Sequence, residues 1–450
     1  MADVTNSILS LNEIKETIES NAVEGTLLLV DLVGSTAYKT RNGEYAWLSR
    51  LIDFIECVKR GLAPLRPSKY LGDGVLGFYN LNEIQPRQLV EIAKRIVSEV
   101  QRVNAERSYR AEHAIHIRII LSYGRIFLFE DGDPQGSAVD KLFRIEKYVP
   151  ADCIGLTQEI VDKSECSELE QAGRYRLRGL AEGRHQLYLL NPPGLNVGPP
   201  LEHARRRAAL YDIWDLGSDG EGKVHLISGY IPPEEGQPST IQMGDKDAVL
   251  RAYKNLCLVG RLEDVEEMTS LDAREQHLRE NVICIGGPFW NKVSLRFMRE
   301  IHSPFIFDFS DNVNDRTPLI DCLTNAVYPA TWNGSRLTKD VGFFGRFRNP
   351  FNPDRQVILV CGVETPAVAG VIRVFSEDQN DFMKLYEGIV RLGKTEDQPR
   401  HDLPDFFALF EFDVEYTGVA HIPAGEDQVR RVVFDWNSLG ELRIQESPTE

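Results

Sequence analysis

The sequence lacks paired cysteines, an excess of positive charge and long apolar runs, and each absence excludes a class of protein. Its seven cysteines are scattered and contain no C-x-x-C pair, which argues against a disulfide framework or a structural zinc site. The formal charge of −17 repels nucleic acid and anionic membranes, so we expect neither as a partner. No apolar run approaches the roughly 18 residues that a membrane span requires, and no basic-then-apolar signal is present. We therefore expect a cytoplasmic protein with reduced thiols.

The length of 450 residues exceeds the roughly 250–300 residues at which a single core stops growing, so we expect at least two domains. The stretch NPPGLNVGPP at 191–200 holds four prolines and two glycines, a composition typical of an extended linker. The division that follows is an N-terminal helix at 1–22, a first domain at 23–192, a linker at 193–215 and a second domain at 216–445.

The first domain has the element order of a ferredoxin-like β-α-β-β-α-β unit. The buried strand that contains TLLLVD begins near Thr26, and an amphipathic helix follows around residues 47–58. Two short strands flank a Gly-Asp-Gly turn, the clearest helical periodicity covers 87–106, and IHIRIILSYG predicts the next strand. A further helix near Ser137–Tyr148 and strands near Tyr175–Leu180 and His185–Leu190 complete the domain. The fold class is α/β, more narrowly α+β.

Two aspartates stand at the ends of strands that are neighbours in such a sheet. Asp31 ends the strand LLLVD, and Asp73 lies in the hairpin SKYLGDGVLGF. Paired carboxylates with a nearby backbone carbonyl suit Mg²⁺ or Mn²⁺, which prefer oxygen ligands and bridge protein to substrate phosphates. The alternative for either residue alone is a turn or cap. Together they predict a divalent-metal site.

The second domain contains two junctions at which an apolar strand runs into a tight turn and a helix start. They are VICIGGPFWN at 282–291 and VILVCGVETPAVAG at 357–370. Such junctions can present backbone N–H groups to an anion. Neither matches G-x-G-x-x-G, so ordinary turn chemistry remains the alternative to a ligand site. We expect an α/β domain here.

Several motifs surround Asp31 and Asp73 in a fixed order. LLVDLVGST contains Asp31, KYLGDG contains Asp73, and IRIILSYGRI follows; DPQGSAVDKLFRI covers 133–145, and RYRLRGLAEGRHQLYLL covers 174–190. In this order they resemble the motifs of the class III nucleotidyl cyclases, over about residues 24–192. The long C-terminal extension makes the chain look most like the Pycsar pyrimidine cyclases of bacterial antiphage defence, in which a sensor-like domain follows the cyclase domain.

The resemblance implies a metal-dependent cyclase. Asp31 and Asp73, with the carbonyl of Leu32, would hold two Mg²⁺ or Mn²⁺ ions. Arg144 would stabilise the transition state at the α-phosphate. Asp140 stands where the family usually has an asparagine that orients the ribose, and a carboxylate cannot donate the hydrogen bond that an amide donates.

Base and phosphate contacts are implied at three further positions. Lys69 and Asp133 fall where related cyclases read the base. Arg178 falls near the position of a triphosphate-binding cation, and a solvated charge on a strand is the alternative for it. The pair Lys69 and Asp133 matches uracil, cytosine and adenine, so it does not choose among them.

In the family, metal ligands and the transition-state arginine come from different protomers, so a homodimer with composite sites is implied. The expected reaction converts UTP to 3′,5′-cyclic UMP and pyrophosphate, and a separate effector would be activated by the cyclic nucleotide. The second domain would bind an unidentified ligand as a sensor. Alternatives are a cytidylate or adenylate cyclase, or a non-catalytic nucleotide-binding sensor.

Overall fold

The protein was analysed as a computed structural model, which describes residues 19, 21–106, 111–128, 134–177, 179–180, 183–191, 198–216, 222–231, 243–310, 317–376, 382–392, 403–417, 421–434 and 444–446. The chain forms two compact units, 1–208 and 209–450. Both combine helices with a large sheet, so the α/β fold class is confirmed. The helix predicted at 1–22 lies almost wholly outside the described residues.

The first unit is a mixed sheet with helices. Its strands are β1 Ala22–Leu32, β2 Lys69–Tyr70, β3 Gly74–Asn80, β4 Ile117–Leu128, β5 Pro134–Gln135, β6 Ile154–Thr157, β7 Leu169–Arg176 and β8 Arg184–Leu190. Its helices are α1 Ser35–Asn42, α2 Glu44–Leu62, α3 Pro86–Glu106, α4 Ser137–Glu146 and α5 Gln158–Ser164, with a 3₁₀ turn at Ala111–His113. The helix α6, Gly198–Trp214, contains the boundary between the two units.

The sheet order of the first unit is β2-β3-β1-β4-β6-β8-β7, with β5 paired to β4. Strand β1 runs antiparallel to both β3 and β4, which gives the β4-β1-β3-β2 order of the predicted ferredoxin-like unit. Several elements differ from the sequence-based expectation. Helices α1 and α5 and strands β5 and β6 were not predicted, and β7 begins at Leu169 rather than near Tyr175.

The core of the first unit lies where α2 and α3 cover one face of the sheet. Leu28 and Val30 of β1 are fully buried and share a cluster with Phe54 of α2 and Ile96 of α3. Because alternate residues of a strand point to opposite faces, Leu27 and Leu29 are buried on the other side. The strand that ends at Asp31 is therefore held from both faces.

The segment predicted as a linker at 193–215 is largely helical. Helix α6 begins at Gly198 and continues to Trp214. Pro199 and Pro200 lie in its first turn, where a missing N–H removes no intrahelical bond. The following residues, LEHARRRAALYDIW, favour a helix, which the proline content had obscured.

The second unit is built on a sheet with the order β10-β9-β11-β17-β16-β18-β19-β20, with β15 on β16, beside a three-stranded sheet β12-β13-β14. The strands are β9 Val224–Ser228, β10 Val265–Thr269, β11 Asn281–Ile285, β12 Phe305–Phe307, β13 Leu319–Asp321, β14 Val327–Tyr328, β15 Thr331–Asn333, β16 Arg336–Arg348, β17 Gln356–Gly362, β18 Phe406–Tyr416, β19 His421–Phe434 and β20 Ile444–Glu446. The helices are α7 Met243–Leu258, α8 Glu275–Leu278, α9 Lys292–Glu300, α10 Thr365–Val374 and α11 Phe382–Leu392, with a 3₁₀ turn at Leu262–Asp264.

Both predicted strand-to-helix junctions are present in the second unit, as β11 to α9 and β17 to α10. The sheet is parallel from β10 through β9 and β11 to β17. The next strand, β16, pairs antiparallel with β17. Within the described part of the chain, no helix is long and apolar enough to cross a bilayer.

An ion pair at the start of β4 makes stability depend on pH. Nδ1 of His116 lies 2.7 Å from Oδ2 of Asp152, and this hydrogen bond raises the pKa of His116 although burial opposes it. A raised folded-state pKa of a histidine means stabilisation that is complete below the ordinary value and lost as pH rises through the raised value.

We expect His116→Gln to lower the free energy of unfolding at pH 5.5, by about 0.3–1 kcal/mol because both groups are half exposed. At pH 9 the loss should disappear. Urea unfolding at the two pH values measures this, with His203→Gln on the exposed surface of α6 as the control. An equal loss at both pH values would contradict the charged pair.

Candidate active site

The two predicted metal-binding aspartates lie side by side at one end of the sheet. In the antiparallel pairing of β1 with β3, Asp31 is opposite Gly74, the residue after Asp73. The amide of Leu32 donates to the carbonyl of Asp73 at 3.0 Å. Because the N–H and C=O of a strand residue point to the same side, the carbonyl of Leu32 is directed toward the Asp73 segment. The structure thus brings Asp31, Leu32 and Asp73 together.

Two residues that the sequence analysis did not single out complete this cluster. Arg118 of β4 is the register partner of Asp31, and its Nε lies 3.2 Å from Oδ2 of Asp31. Its Nη1 lies 3.6 Å from Oε1 of Glu146, the last residue of α4. Arg118 therefore links the end of the central strand to the end of α4.

The electrostatics of the cluster are those of crowded acids. Burial is the largest cause that raises the pKa of Asp31; the guanidinium of Arg118 opposes it, and the charge of Asp73 adds to it. Burial and then the charge of Asp31 raise the pKa of Glu146 to about 7, again against Arg118. Two carboxylates thus contact one guanidinium in a partly buried site, and the charge of Asp73 acts on both of them. Such a site has an excess of negative charge that a cation would neutralise.

These oxygen donors fit a divalent cation whose coordination shell is completed by substrate oxygens. Among the residues that the structure describes, no three His, Cys, Asp or Glu side chains form a closed metal cage. Mg²⁺, however, is usually held by one or two carboxylates together with substrate phosphates and water. Asp31 and Asp73, supported by the carbonyl of Leu32, match that donor set, and the raised pKa of Asp31 is consistent with it.

Arg144 lies on a different side of α4 from Glu146. The two residues are two positions apart, which corresponds to a rotation of roughly 200° about the helix axis. The guanidinium of Arg144 packs against the turn after β7, since a Cβ on Gly179 would lie 3.0 Å from its Nη2. Gly179 has φ +76°, a conformation that a glycine adopts without strain. Within the chain, the side chain of Arg144 therefore points in a different direction from the carboxylates of Asp31 and Glu146.

The other predicted site residues are only partly described. Asp140 is exposed in the first turn of α4, where a carboxylate is favoured by the helix dipole. Lys69 is exposed on the edge strand β2 and pairs in register with Leu76. Asp133 and Arg178 lie outside the described residues.

The signals for Arg118 and Glu146 are weak in the sequence. Arg118 takes the polar position in the alternating pattern IHIRI, as His116 does, and such a position usually indicates the solvent-facing side of a strand. Glu146 follows Arg144 in a helix whose polar face is charged. Only the register of β1 with β4 and the rotation of α4 bring both side chains to Asp31.

No family model and no curated protein matches the chain. Solved structures similar to it include an adenylate/guanylate cyclase/hydrolase from Silicibacter pomeroyi, with 21% identity, 38% of this chain and 98% of that chain covered, and a TM-score of 0.33. Others are the adenylyl cyclase CyaB from P. aeruginosa, at 16% identity, 39% and 98% coverage and a TM-score of 0.34, and the guanylate cyclase domain of RhGC from Catenaria anguillulae in complex with GTP, at 17% identity, 38% and 97% coverage and a TM-score of 0.31.

The crowding of carboxylates leads to a stability prediction. We expect Asp73→Asn, in EDTA, to keep the thermal stability of the protein or to raise it by up to about 1 kcal/mol, because one source of repulsion is removed. We expect Mn²⁺ to raise the unfolding midpoint of the wild-type protein and to leave that of Asp73→Asn unchanged. Differential scanning fluorimetry measures both effects.

The control is Asp162→Asn, the same change on the exposed surface of α5, which should retain the Mn²⁺ effect. A destabilised Asp73→Asn protein that still responds to Mn²⁺ would remove Asp73 from the metal site.

Proposed function

We propose that the first unit is a nucleotidyl cyclase that converts UTP to 3′,5′-cyclic UMP and pyrophosphate. The observation that carries the proposal is the meeting of Asp31 and Asp73 at the ends of β1 and the β2–β3 hairpin. Two carboxylates with an excess of negative charge would bind a triphosphate only together with divalent cations. The proposed cofactors are therefore two Mg²⁺ or Mn²⁺ ions.

In the proposed reaction, the ribose 3′-oxygen forms a bond to the α-phosphorus, and the bond from that phosphorus to the leaving oxygen breaks. Pyrophosphate leaves with the electron pair, and the 3′-hydroxyl proton passes to solvent. The bound metals would lower the pKa of the 3′-hydroxyl and neutralise the phosphates. Asp31, Asp73 and the Leu32 carbonyl would hold these ions. Arg118 orients Asp31 through their ion pair at 3.2 Å.

Arg144 is the proposed transition-state cation, and we propose that it acts across a homodimer. Support comes from its orientation, because it packs on the turn at Gly179 rather than beside Asp31. A twofold dimer would bring the carboxylates of one protomer to Arg144 of the other. In this composite site, we propose that Arg178 binds the triphosphate. Asp140 is proposed to accept a hydrogen bond from a ribose hydroxyl.

The choice of UTP is the finer part of the proposal. Lys69 would donate to uracil O4, and Asp133 would accept from N3–H. The same pair fits cytosine and adenine, so cytidylate and adenylate cyclases are the alternatives. Placing the chain among the pyrimidine cyclases of antiphage defence, with a cyclic-nucleotide-activated effector and a sensor role for the second unit, rests on the resemblance of its motifs and domain order.

A nucleotide-binding sensor without catalysis is the competing proposal. It would bind NTP with Mn²⁺ and release no pyrophosphate. The retention of Asp31, Asp73 and Arg144 favours catalysis, because these side chains serve metals and the transition state rather than base binding. Incubation of the purified protein with each NTP, followed by mass identification of products, separates the two.

Subunit mixing tests the shared site. Asp73→Ala and Arg144→Ala homodimers should each be inactive, because each lacks one half of every site. A 1:1 mixture that exchanges subunits should recover about a quarter of the wild-type rate, since half of the dimers are mixed and each has one intact site. Pyrophosphate release measures the rate. No recovery after verified exchange would mean that each protomer works alone.

Substrate ranking tests the base assignment. We expect kcat/KM to be highest for UTP, with roughly tenfold to hundredfold discrimination from an edge match, because an unmatched buried polar group costs about 1–3 kcal/mol. In Lys69→Ala and Asp133→Ala, the differences in kcat/KM among the four nucleotides should become smaller. If CTP or ATP is the best wild-type substrate, the uridylate assignment is wrong while the cyclase assignment stands. If neither variant alters the ranking, the base is read elsewhere.

A further inference from the structure

The second unit has a cleft beside β9, where the order of the parallel strands reverses. From β9 the chain passes through α7 to β10 on one side, and then returns to β11 on the other side of β9. In open α/β sheets, ligands bind outside the carboxyl ends of the strands at such a switch point. Gly229 follows β9 and Gly286 follows β11 at this place.

A buried carboxylate occupies the switch point. Asp245, in the first turn of α7, is 4% exposed. A Cβ on Gly286 would lie 2.7 Å from its Oδ2, and one on Gly229 would lie 3.5 Å away, so the glycines leave room for the carboxylate. Among the described residues, Oδ1 of Asp245 has no hydrogen-bond partner. Burial raises the pKa of this carboxyl to about 7, as expected for an acid without a donor.

Aromatic side chains form the walls of the cleft above Asp245. The cleft has a volume of about 480 Å³ and is lined by Phe289, Trp290, Phe307 and Trp332. Phe289 and Trp290 are in edge contact, with centroids 4.7 Å apart. A volume of this size suits a small organic molecule, and aromatic faces attract flat rings and cations.

The charge of the cleft opposes phosphate. Asp245 and Glu364 line it, and the described lining residues include no lysine, arginine or histidine. The adjacent helix starts are already satisfied by side chains. Asn291 accepts from Val293 and Ser294 at the start of α9, and buried Asp340 accepts from the amides of Glu364 and Ala367 at the start of α10. These helix starts therefore have fewer free backbone N–H groups for an anion than the sequence pattern suggested.

A neighbouring cleft does not supply the missing positive charge. It shares Trp332 and Glu364 with the first and contains Arg251 and Arg373. Arg251 is paired with Asp247 at 2.9 Å, and Nη1 of Arg373 donates to the carbonyl of Pro423 at 3.2 Å. Both cations are engaged within the fold.

We propose that the cleft at Asp245 is a binding site for a small, flat, phosphate-free nitrogen compound, cationic or rich in N–H donors. The ligand donates to the Asp245 carboxylate and stacks against the aromatic walls. This proposal is independent of the chemistry of the first unit.

Three probes of one shape and different charge test the proposal: benzamidine, benzamide and benzoate. The full-length protein is labelled with 5-fluorotryptophan, and the ¹⁹F resonances of Trp290 and Trp332 are assigned by Trp→Phe replacements. We expect these two resonances to shift with benzamidine, less with benzamide and least with benzoate. The affinity for benzamidine should exceed that for benzoate at least about tenfold.

Matched variants locate the interaction. At pH 8.5, above the raised pKa of Asp245, Asp245→Asn should reduce benzamidine affinity by about tenfold or more, because the charge is lost at nearly constant volume. Asp413→Asn, the same change at an exposed position of β18, should leave the affinity unchanged. If Asp245→Asn unfolds, Trp332→Leu replaces it: the affinity for benzamidine should fall while the order of the three probes is kept.

The proposal is overturned if benzoate binds as tightly as benzamidine, if neither Trp290 nor Trp332 responds to millimolar benzamidine, or if a folded Asp245→Asn protein binds it as wild type does. A response of Trp290 and Trp332 that is lost in Asp245→Asn and retained in Asp413→Asn supports it. The readout does not depend on nucleotide turnover, so failure of the cyclase proposal would be recognised separately.

Discussion

The register of strand β1 between β3 and β4 is the constraint on which the first site depends. One pairing sets Asp31 opposite Gly74, and the other sets it opposite Arg118. A slip of one residue would turn Asp31 to the other face of the sheet. Leu27, Leu28 and Val30 have no exposed surface, so such a slip would also disturb the core. The packing that stabilises the unit therefore also positions the acid.

This arrangement holds like charges close together, and the fold supplies only part of the compensation. Arg118 contacts both Asp31 and Glu146, yet burial and the charge of Asp73 still raise the pKa of both acids. A site built for stability alone would replace one acid with a neutral side chain. Keeping these acids together is costly to folding, and the proposed binding of divalent cations would offset that cost, which is the usual relation between stability and function at such sites.

The sequence predicted those features that depend on neighbouring residues. Asp31 and Asp73 each follow a strong local signal, a buried strand and a Gly-Asp-Gly turn, and the β-α-β-β-α-β order makes their strands adjacent. Arg118 and Glu146 depend instead on register and helix rotation, which no local pattern specifies. An extended conformation was predicted for the linker because four prolines and two glycines at 191–200 outweighed the helical composition that follows, and residues 198–214 form helix α6 instead.

The two sites differ in how they treat an anion. In the first, Arg118 and divalent cations would offset the carboxylates, so a triphosphate can approach. In the second, the aromatic cleft contains Asp245 and Glu364 with no cationic side chain among its described lining residues. A cyclic nucleotide carries a negative phosphate, which such a cleft would repel at close range. Feedback by the product of the proposed reaction is therefore disfavoured at this cleft, and the ligand proposed for the second unit differs in chemistry from the substrate proposed for the first.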